Sequence, residues 1–354
     1  MTMISEAWIA GKREEFARAV AGFSRTKPIR ILTHNDADGL ATAALLARAL
    51  ARIARCARTR ILGRGENPWS EARRAELREE DMAGLIVTDL GVRPGAIKRG
   101  TPTILIDHHV PAGSPRGATI SSGHGQTPTP TSSLLAFWCV GGLTDVEDLL
   151  WIAALGVIGD LGDQAAFPEL AAARKRHGAT ALRQATPLVN APRRTAGGDA
   201  RPALDLLMRA GGPREITSGQ HPETALLQRA RDEVRAALEA GRRIAPRIQG
   251  PVALIRLESP CQIHPLVAQA WRNRLKDRIV IAANTGYRPG WVHFSVRSAT
   301  PVNLIEFLRS KAPDSADENY GGGHEQASGG ALRAGDWNEL VARLGFGPDM
   351  QVSA

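Results

Sequence analysis

The segment His34-Asn-Asp-Ala-Asp-Gly39 directly follows the apolar run IRILT, and no other feature constrains the chain as tightly. A short aliphatic run of this kind reads as a buried strand, and the Ala- and Leu-rich stretch from Gly39 to about Arg55 reads as the helix that follows it. Two further apolar runs end in the same way: GLIVT stops at Asp89, and TPTILI stops at Asp107, His108 and His109. Such strands alternating with helices, including one around SSLLAFWCV, predict a parallel sheet with helices on both faces. In open sheets of this kind the carboxyl ends of the strands line one crevice. The chain is therefore expected to gather carboxylates and imidazoles in one place.

In an extended segment alternate side chains share a face, so His34, Asp36 and Asp38 would point together. A fourth apolar stretch, WIAALGVIGDLGD, reads as another strand, ending at Asp160 and Asp163. A single Asp after a strand is ordinarily a helix cap. Four acid-bearing ends, two of them also carrying His, repel one another unless cations neutralise them. Carboxylate and imidazole donors without thiolates suit Mn²⁺, Mg²⁺ or Zn²⁺, and the two His favour Mn²⁺ over Mg²⁺. The candidate ligands are His34, Asp36, Asp38, Asp89, His108 and Asp160. Six exceed what one ion takes from protein while also holding substrate, which points to two cations sharing an Asp.

Beyond Gln164 the pattern is helical but interrupted by Pro and Gly up to about Gly219, and a charged helix, PETALLQRARDEVRAALEAGRRI, follows. New strand candidates are VALIRL, RIVIAANT and WVHFSVRS, and the Gly-rich NYGGGHEQASGGAL closes the set. The expected fold is α/β: a doubly wound, mainly parallel N-terminal domain over 1–200, a helical linker over 201–248 and a smaller α/β domain over 249–354. With 354 residues, two domains are the natural division.

The net charge of +9 favours a polyanionic partner, although each basic pair, such as Arg73 and Arg74 or Arg193 and Arg194, reads by itself as a solvated face. No apolar run reaches the roughly 20 residues that span a bilayer, so no membrane association is expected. The N-terminus lacks the pattern of a secretory signal, which makes a cytoplasmic location the expectation. Cys56, Cys139 and Cys261 are widely spaced and odd in number, as expected of reduced, buried thiols rather than a disulfide framework.

Taken in order, H-N-D-A-D-G at His34, T-D at Asp89, D-H-H at Asp107 to His109, G-D-L-G-D at Asp160 and G-G-G-H at Gly321 to His324 resemble the DHH phosphoesterase superfamily. The resemblance spans nearly the whole chain. The spelling H-x-D-x-D-G-L and the segment PLVNAPRRT look like the RecJ-type branch, whose full bacterial members carry nucleic-acid-binding domains for which this length leaves no room. The resemblance implies one cation on His34, Asp36 and Asp89, and a second on Asp38, Asp89, His108 and Asp160. His109 would face the scissile phosphate, with Asp107 orienting the neighbouring imidazole. Asp163 has no matching role. In the C-terminal domain it implies substrate binding by Arg297, Gly321, Gly322, Gly323 and His324; an Arg fork and an open glycine backbone both suit phosphate. The remaining histidines, His264 and His293 among them, read as surface or packing residues.

The implied activity is phosphoester hydrolysis by a metal-activated water, with Asp38, Asp89 and His109 as the catalytic set. The substrate would be single-stranded DNA or RNA, or a short oligonucleotide, cut from an end. Alternatives are a phosphatase or phosphodiesterase for small nucleotides such as 3′-phosphoadenosine 5′-phosphate or cyclic dinucleotides, a polyphosphate hydrolase, and a non-catalytic nucleic-acid-binding scaffold.

Overall fold

The computed structural model describes residues 4–316 and 320–353. The chain divides into two compact units. One comprises the chain up to Arg193 together with Gly198–Arg229, and the other Arg194–Gly197 together with everything from Ala230 onward.

The first unit opens with α1 (Glu6–Ala21), followed by β1 (Ile29–Thr33), α2 (Ala37–Arg52), β2 (Ala57–Ile61), α3 (Glu71–Arg78), β3 (Gly84–Thr88), β4 (Thr103–Asp107) and β5 (Ala118–Ser122). The helices α4 (Ser132–Val140), α5 (Leu150–Leu161), α6 (Pro168–His177), α7 (Ala179–Asn190), α8 (Arg201–Arg209), α9 (Pro213–Ser218) and α10 (Pro222–Arg242) follow, the last running on into the second unit. The five strands form a wholly parallel sheet in the order β2-β1-β3-β4-β5.

Side-chain alternation splits the apolar runs between two cores. Ile29, Ile31, Ile86, Ile104 and Ile106 pack with residues of α2, α4 and α5. Leu32, Leu85, Val87 and Leu105 pack on the opposite face with Leu77 of α3 and with Trp69 in the turn before it. Both faces being covered is why GLIVT is apolar at nearly every position. The doubly wound expectation is met. The edge strands β2 and β5 went unread because ARTRI and ATISS are only half buried.

Two local expectations are corrected. WIAALGVIGD is no strand: it lies within α5, so Asp160 sits in the last turn of a helix. A continuous apolar run does not distinguish a buried strand from a buried helix, and α5 is apolar on every side because it is enclosed by the core. Likewise β1 stops at Thr33, Asp36 is the N-cap of α2, and Asp38 lies in that helix's first turn. Strand alternation therefore does not bring His34, Asp36 and Asp38 together. Strand register and the cap do. Thr33 is level with Thr88, and Thr88 with Ile106, so the residues that follow leave the sheet side by side.

Part of the region read as a linker belongs to the first core: Leu204, Leu206 and Leu207 of α8, Ile216 of α9 and Leu227 of α10 are buried in it. Of the cysteines, Cys139 and Cys261 are buried, but Cys56 is exposed; all three are free.

The second unit continues with β6 (Arg247–Gln249), β7 (Val252–Leu257), α11 (His264–Arg274), β8 (Ile279–Arg288), β9 (Trp291–Ser298), α12 (Leu304–Ser310), β10 (Tyr320–His324), β11 (Ala327–Arg333) and α13 (Ala334–Arg343). Its sheet runs β10-β11-β9-β8-β7-β6, antiparallel except for the parallel pair β7 and β8. One face packs on α12 and α13 and the other on α11, the smaller α/β unit expected. Among the described residues no helix is long and apolar enough to cross a membrane.

Candidate metal centre

The site forms where β1, β3 and β4 end. Asp36 is extended, and its Oδ1 accepts the Gly39 amide at 3.1 Å, an N-cap that closes the first turn of α2. Its Oδ2 lies 3.0 Å from His34 Nδ1. The capping role and a place in the acidic centre thus coexist, one on each carboxylate oxygen. Thr33 and Thr88 lock the two strand ends together: Thr33 Oγ1 donates to Gly39 O at 2.6 Å, and Thr88 Oγ1 donates to Thr33 Oγ1 at 2.9 Å.

Asp89 is buried, and its φ of 58° is a conformation that Asp tolerates better than most residues. Its oxygens point two ways. Oδ2 is 3.5 Å from His34 Nδ1, and Oδ1 is 3.5 Å from His108 Nε2. His108 Nε2 is also 3.6 Å from Asp160 Oδ2 and 4.0 Å from Asp38 Oδ2. His34, Asp36 and Asp89 form one cluster with donor atoms within 4.8 Å of one another, and Asp89, His108 and His109 form another. All six residues read from sequence as metal ligands are brought to one locus.

Asp38 is held by an element whose sequence was read only as apolar helix. The amides of Ser132 and Ser133, at the start of α4, donate to Asp38 Oδ2 at 2.8 Å and Oδ1 at 3.0 Å. A carboxylate there meets unpaired helical N–H groups and the positive end of the helix dipole. Ser132 Oγ donates to Asp89 Oδ1 at 3.0 Å, so one residue steadies both acids. The available signal was Thr131-Ser-Ser before an apolar run, a capping pattern. Asn190 at the end of α7 is a second unread contributor: its Oδ1 accepts the Ala37 amide at 3.3 Å.

The charges of the cluster act strongly on one another. Burial, then the charges of Asp89 and Asp160, push the Asp38 carboxyl up to about 7 against the pull of His108. Asp160 is raised too, chiefly by burial and then by Asp89 and Asp36, with His108 opposing. Burial opposes charge on the imidazoles, yet Asp36 and Asp89 hold His34 up at about 10, and Asp89, Asp38 and Asp160 hold His108 at about 10. Divalent cations at this locus would offset the mutual repulsion of these carboxylates. Oxygen and imidazole donors, without sulfur, fit Mn²⁺ or Mg²⁺.

Asp107 stands apart from this cluster. Its Oδ1 accepts the His109 amide at 2.8 Å and lies 3.0 Å from His109 Nδ1, while Oδ2 accepts the Gly91 amide at 2.7 Å. The imidazole it holds is that of His109, whose ring lies tilted against that of His108 at 4.4 Å between centroids. Asp163 pairs with Arg174 at 2.8 Å, outside the cluster.

In the second unit Arg297 lines a cavity of about 440 Å³ together with Gln262, His264, His293, Ser295 and Gly322. Its Nη1 donates to Val296 O at 2.9 Å and Ser328 O at 3.2 Å, and burial lowers its pKa. Gly321 and Gly322 lie on β10, level with β11. The surroundings of Gly323 and the side chain of His324 lie outside the described residues. His264 and His293, read as ordinary histidines, face the same cavity. His264 is buried against Tyr287, and burial, then His293 and the nearby arginines, hold it well below the usual imidazole range.

No protein-family model and no curated protein matches the chain. Solved structures do. The exonuclease RecJ bound to manganese superposes with a TM-score of 0.66 at 23% identity, covering 94% of this chain and 93% of that one. RecJ from Thermus thermophilus in complex with Mn²⁺ gives 0.68 at 24% identity, over 94% of this chain but only 54% of that longer one. The DHH domain of a member of the s1p family of ribosomal proteins gives 0.69 at 14% identity, over 97% and 92%. The architecture is that of the DHH proteins. It is the fold that these RecJ and DHH-domain structures share.

Two outcomes follow from this geometry. A Cβ on Gly156 would fall 2.6 Å from Asp38 Oδ1 and collide with Ser133 Oγ. Gly156→Ala should therefore weaken Mn²⁺ binding by roughly 10- to 100-fold and lower stability by about 1–3 kcal/mol; calorimetric titration and urea unfolding read the two, and unchanged affinity would contradict the account. Cations bound by Asp38, His34 and His108 would have to displace their protons, so Mn²⁺ affinity should climb as pH rises through about 7 and on toward about 10. Titration in buffers of different ionisation enthalpy should show proton release, and pH-independent binding without release would refute that assignment.

Proposed function

We propose that this protein is a two-cation phosphoesterase that removes nucleotides from an end of single-stranded nucleic acid or short oligonucleotides. The observation that carries the proposal is Asp89, which turns one oxygen toward His34 and the other toward His108 from a buried, left-handed backbone position. That is the disposition of a shared ligand between two ion sites. The RecJ-like fold and the net charge of +9 support a polyanionic substrate.

In this reading His34, Asp36 and Asp89 hold one cation, and Asp38, Asp89, His108 and Asp160 hold the other, with Mn²⁺ preferred and Mg²⁺ accepted. Such a pair would supply an acidified water and would offset charge on the attacking and leaving oxygens. The chain's own groups do the rest. Ser132, Ser133 and the α4 N-terminus keep Asp38 and Asp89 fixed, so that the donors need not reorganise during reaction.

His109 is the group for substrate. Its side chain is 47% exposed, and Asp107 occupies Nδ1, leaving Nε2 to address a phosphoryl or leaving oxygen. Burial opposes its charge, while Asp107 and then Asp89 raise its pKa above the ordinary imidazole value. In the second unit, Arg297 with Gly321, Gly322, Gly323 and His324 would take phosphates of the polymer.

Asp38→Asn and Asp89→Asn should each reduce Mn²⁺-dependent cleavage by about a thousandfold or more. The measurement uses 5′- and 3′-labelled DNA and RNA oligonucleotides of graded length, which also reads polarity. Undiminished turnover in either variant, or no metal-dependent cleavage of any oligonucleotide by the unmodified chain, would defeat the proposal.

A further inference from the structure

Arg193 lies in the short 3-10 turn Pro192–Arg194 that follows α7. It belongs to a basic pair whose ordinary reading is a solvated surface, yet its side chain is only 16% exposed and faces the acidic centre. Its Nη1 is 3.5 Å from Asp36 Oδ2, an ion pair too long for a good N–H···O hydrogen bond. The oxygen it approaches already lies 3.0 Å from His34 Nδ1. The Arg193 Nε is buried and has no hydrogen-bond partner among the described residues. Nearby, Asn190 ties the end of α7 to the start of α2 through the Ala37 amide, which fixes the turn beside Asp36. A guanidinium is thus placed at the centre with donors left over, an arrangement that is costly for a buried polar group unless something else accepts from it.

Charge says what that acceptor is. Asp36, Asp38, Asp89 and Asp160 bring four negative charges to the site. Two divalent cations would offset them, so the Arg193 guanidinium is not needed to neutralise Asp36 and is left for an anionic acceptor. We propose that Arg193 is a phosphate-binding side chain of the loaded centre: once cations hold Asp36, its guanidinium donates to a non-bridging oxygen of the phosphate to be hydrolysed. The planar fork suits this task better than an ammonium would. The proposal rests on the phosphoesterase reading and deepens it by assigning the substrate's phosphate to a residue of the first unit.

The test uses the full chain loaded with Mn²⁺, with inorganic phosphate as the probe, and compares the unmodified protein with Arg193→Gln and Arg193→Lys. Mn²⁺ stoichiometry should be the same in all three. Phosphate should bind roughly tenfold more weakly to Arg193→Gln, with partial recovery in Arg193→Lys, and the KM for short oligonucleotides should rise in parallel. Equal phosphate affinity in Arg193→Gln at full Mn²⁺ occupancy would overturn the role of Arg193 and leave the phosphoesterase reading standing. Loss of Mn²⁺ from Arg193→Gln would overturn it too, making the residue a support for Asp36. If the loaded, unmodified chain neither binds phosphate nor cleaves oligonucleotides, the phosphoesterase reading itself fails.

Discussion

Four carboxylates gathered at one locus, Asp38 and Asp89 of them buried, set the terms for the rest of this molecule. Like charges in a desolvated place favour protonation or cations, and the fold is organised to keep them together regardless. The N-terminus of α4 grips Asp38 through two amides, and Ser132 reaches Asp89. Asp89 itself adopts a left-handed backbone conformation at the end of a fully buried strand. Helix α5 passes so close that Gly156 is needed where it meets Asp38 and Ser133. Each of these features lowers the freedom of an acid that the metal-free chain would rather spread apart, which is the signature of a preorganised site.

Much of this was legible from residues alone. The apolar runs ending at Thr33, Thr88 and Asp107 are buried on both faces and so carry a strong strand signal, and their parallel register follows from the helices between them. That His34, Asp89 and His108 converge could be inferred from those strand ends. Asp160 lies 3.6 Å from His108 by way of a different element from the one expected: the run before it is a core helix, and an enclosed helix is apolar on every side, which hides its period. The alternation argument for Asp36 and Asp38 also reached the right neighbourhood by the wrong geometry, since a cap and a first helical turn can present both residues as readily as a strand can.

What stayed hidden was the support. Ser132, Ser133 and Asn190 act through backbone amides and single hydrogen bonds across long sequence separations, and neither composition nor periodicity records such contacts. The basic pairs misled in the same way. Arg73 is buried in ion pairs with Glu66 and Glu76, and Arg193 faces Asp36, although both look in sequence like charges on a solvated face. The half-buried edge strands β2 and β5 were invisible because their side chains follow solvent, not the sheet. Core and strand ends are written in local pattern; the groups that position a site are written in tertiary contacts.

The central claim is that Asp89 is shared by two cations. Electron paramagnetic resonance during a Mn²⁺ titration of the unmodified chain tests it most directly. The account predicts two ions per chain, with the exchange-coupled spectrum of a carboxylate-bridged pair appearing as the second ion binds and disappearing in Asp89→Ala. A single uncoupled ion at saturation, or a coupled pair that survives loss of Asp89, would contradict it.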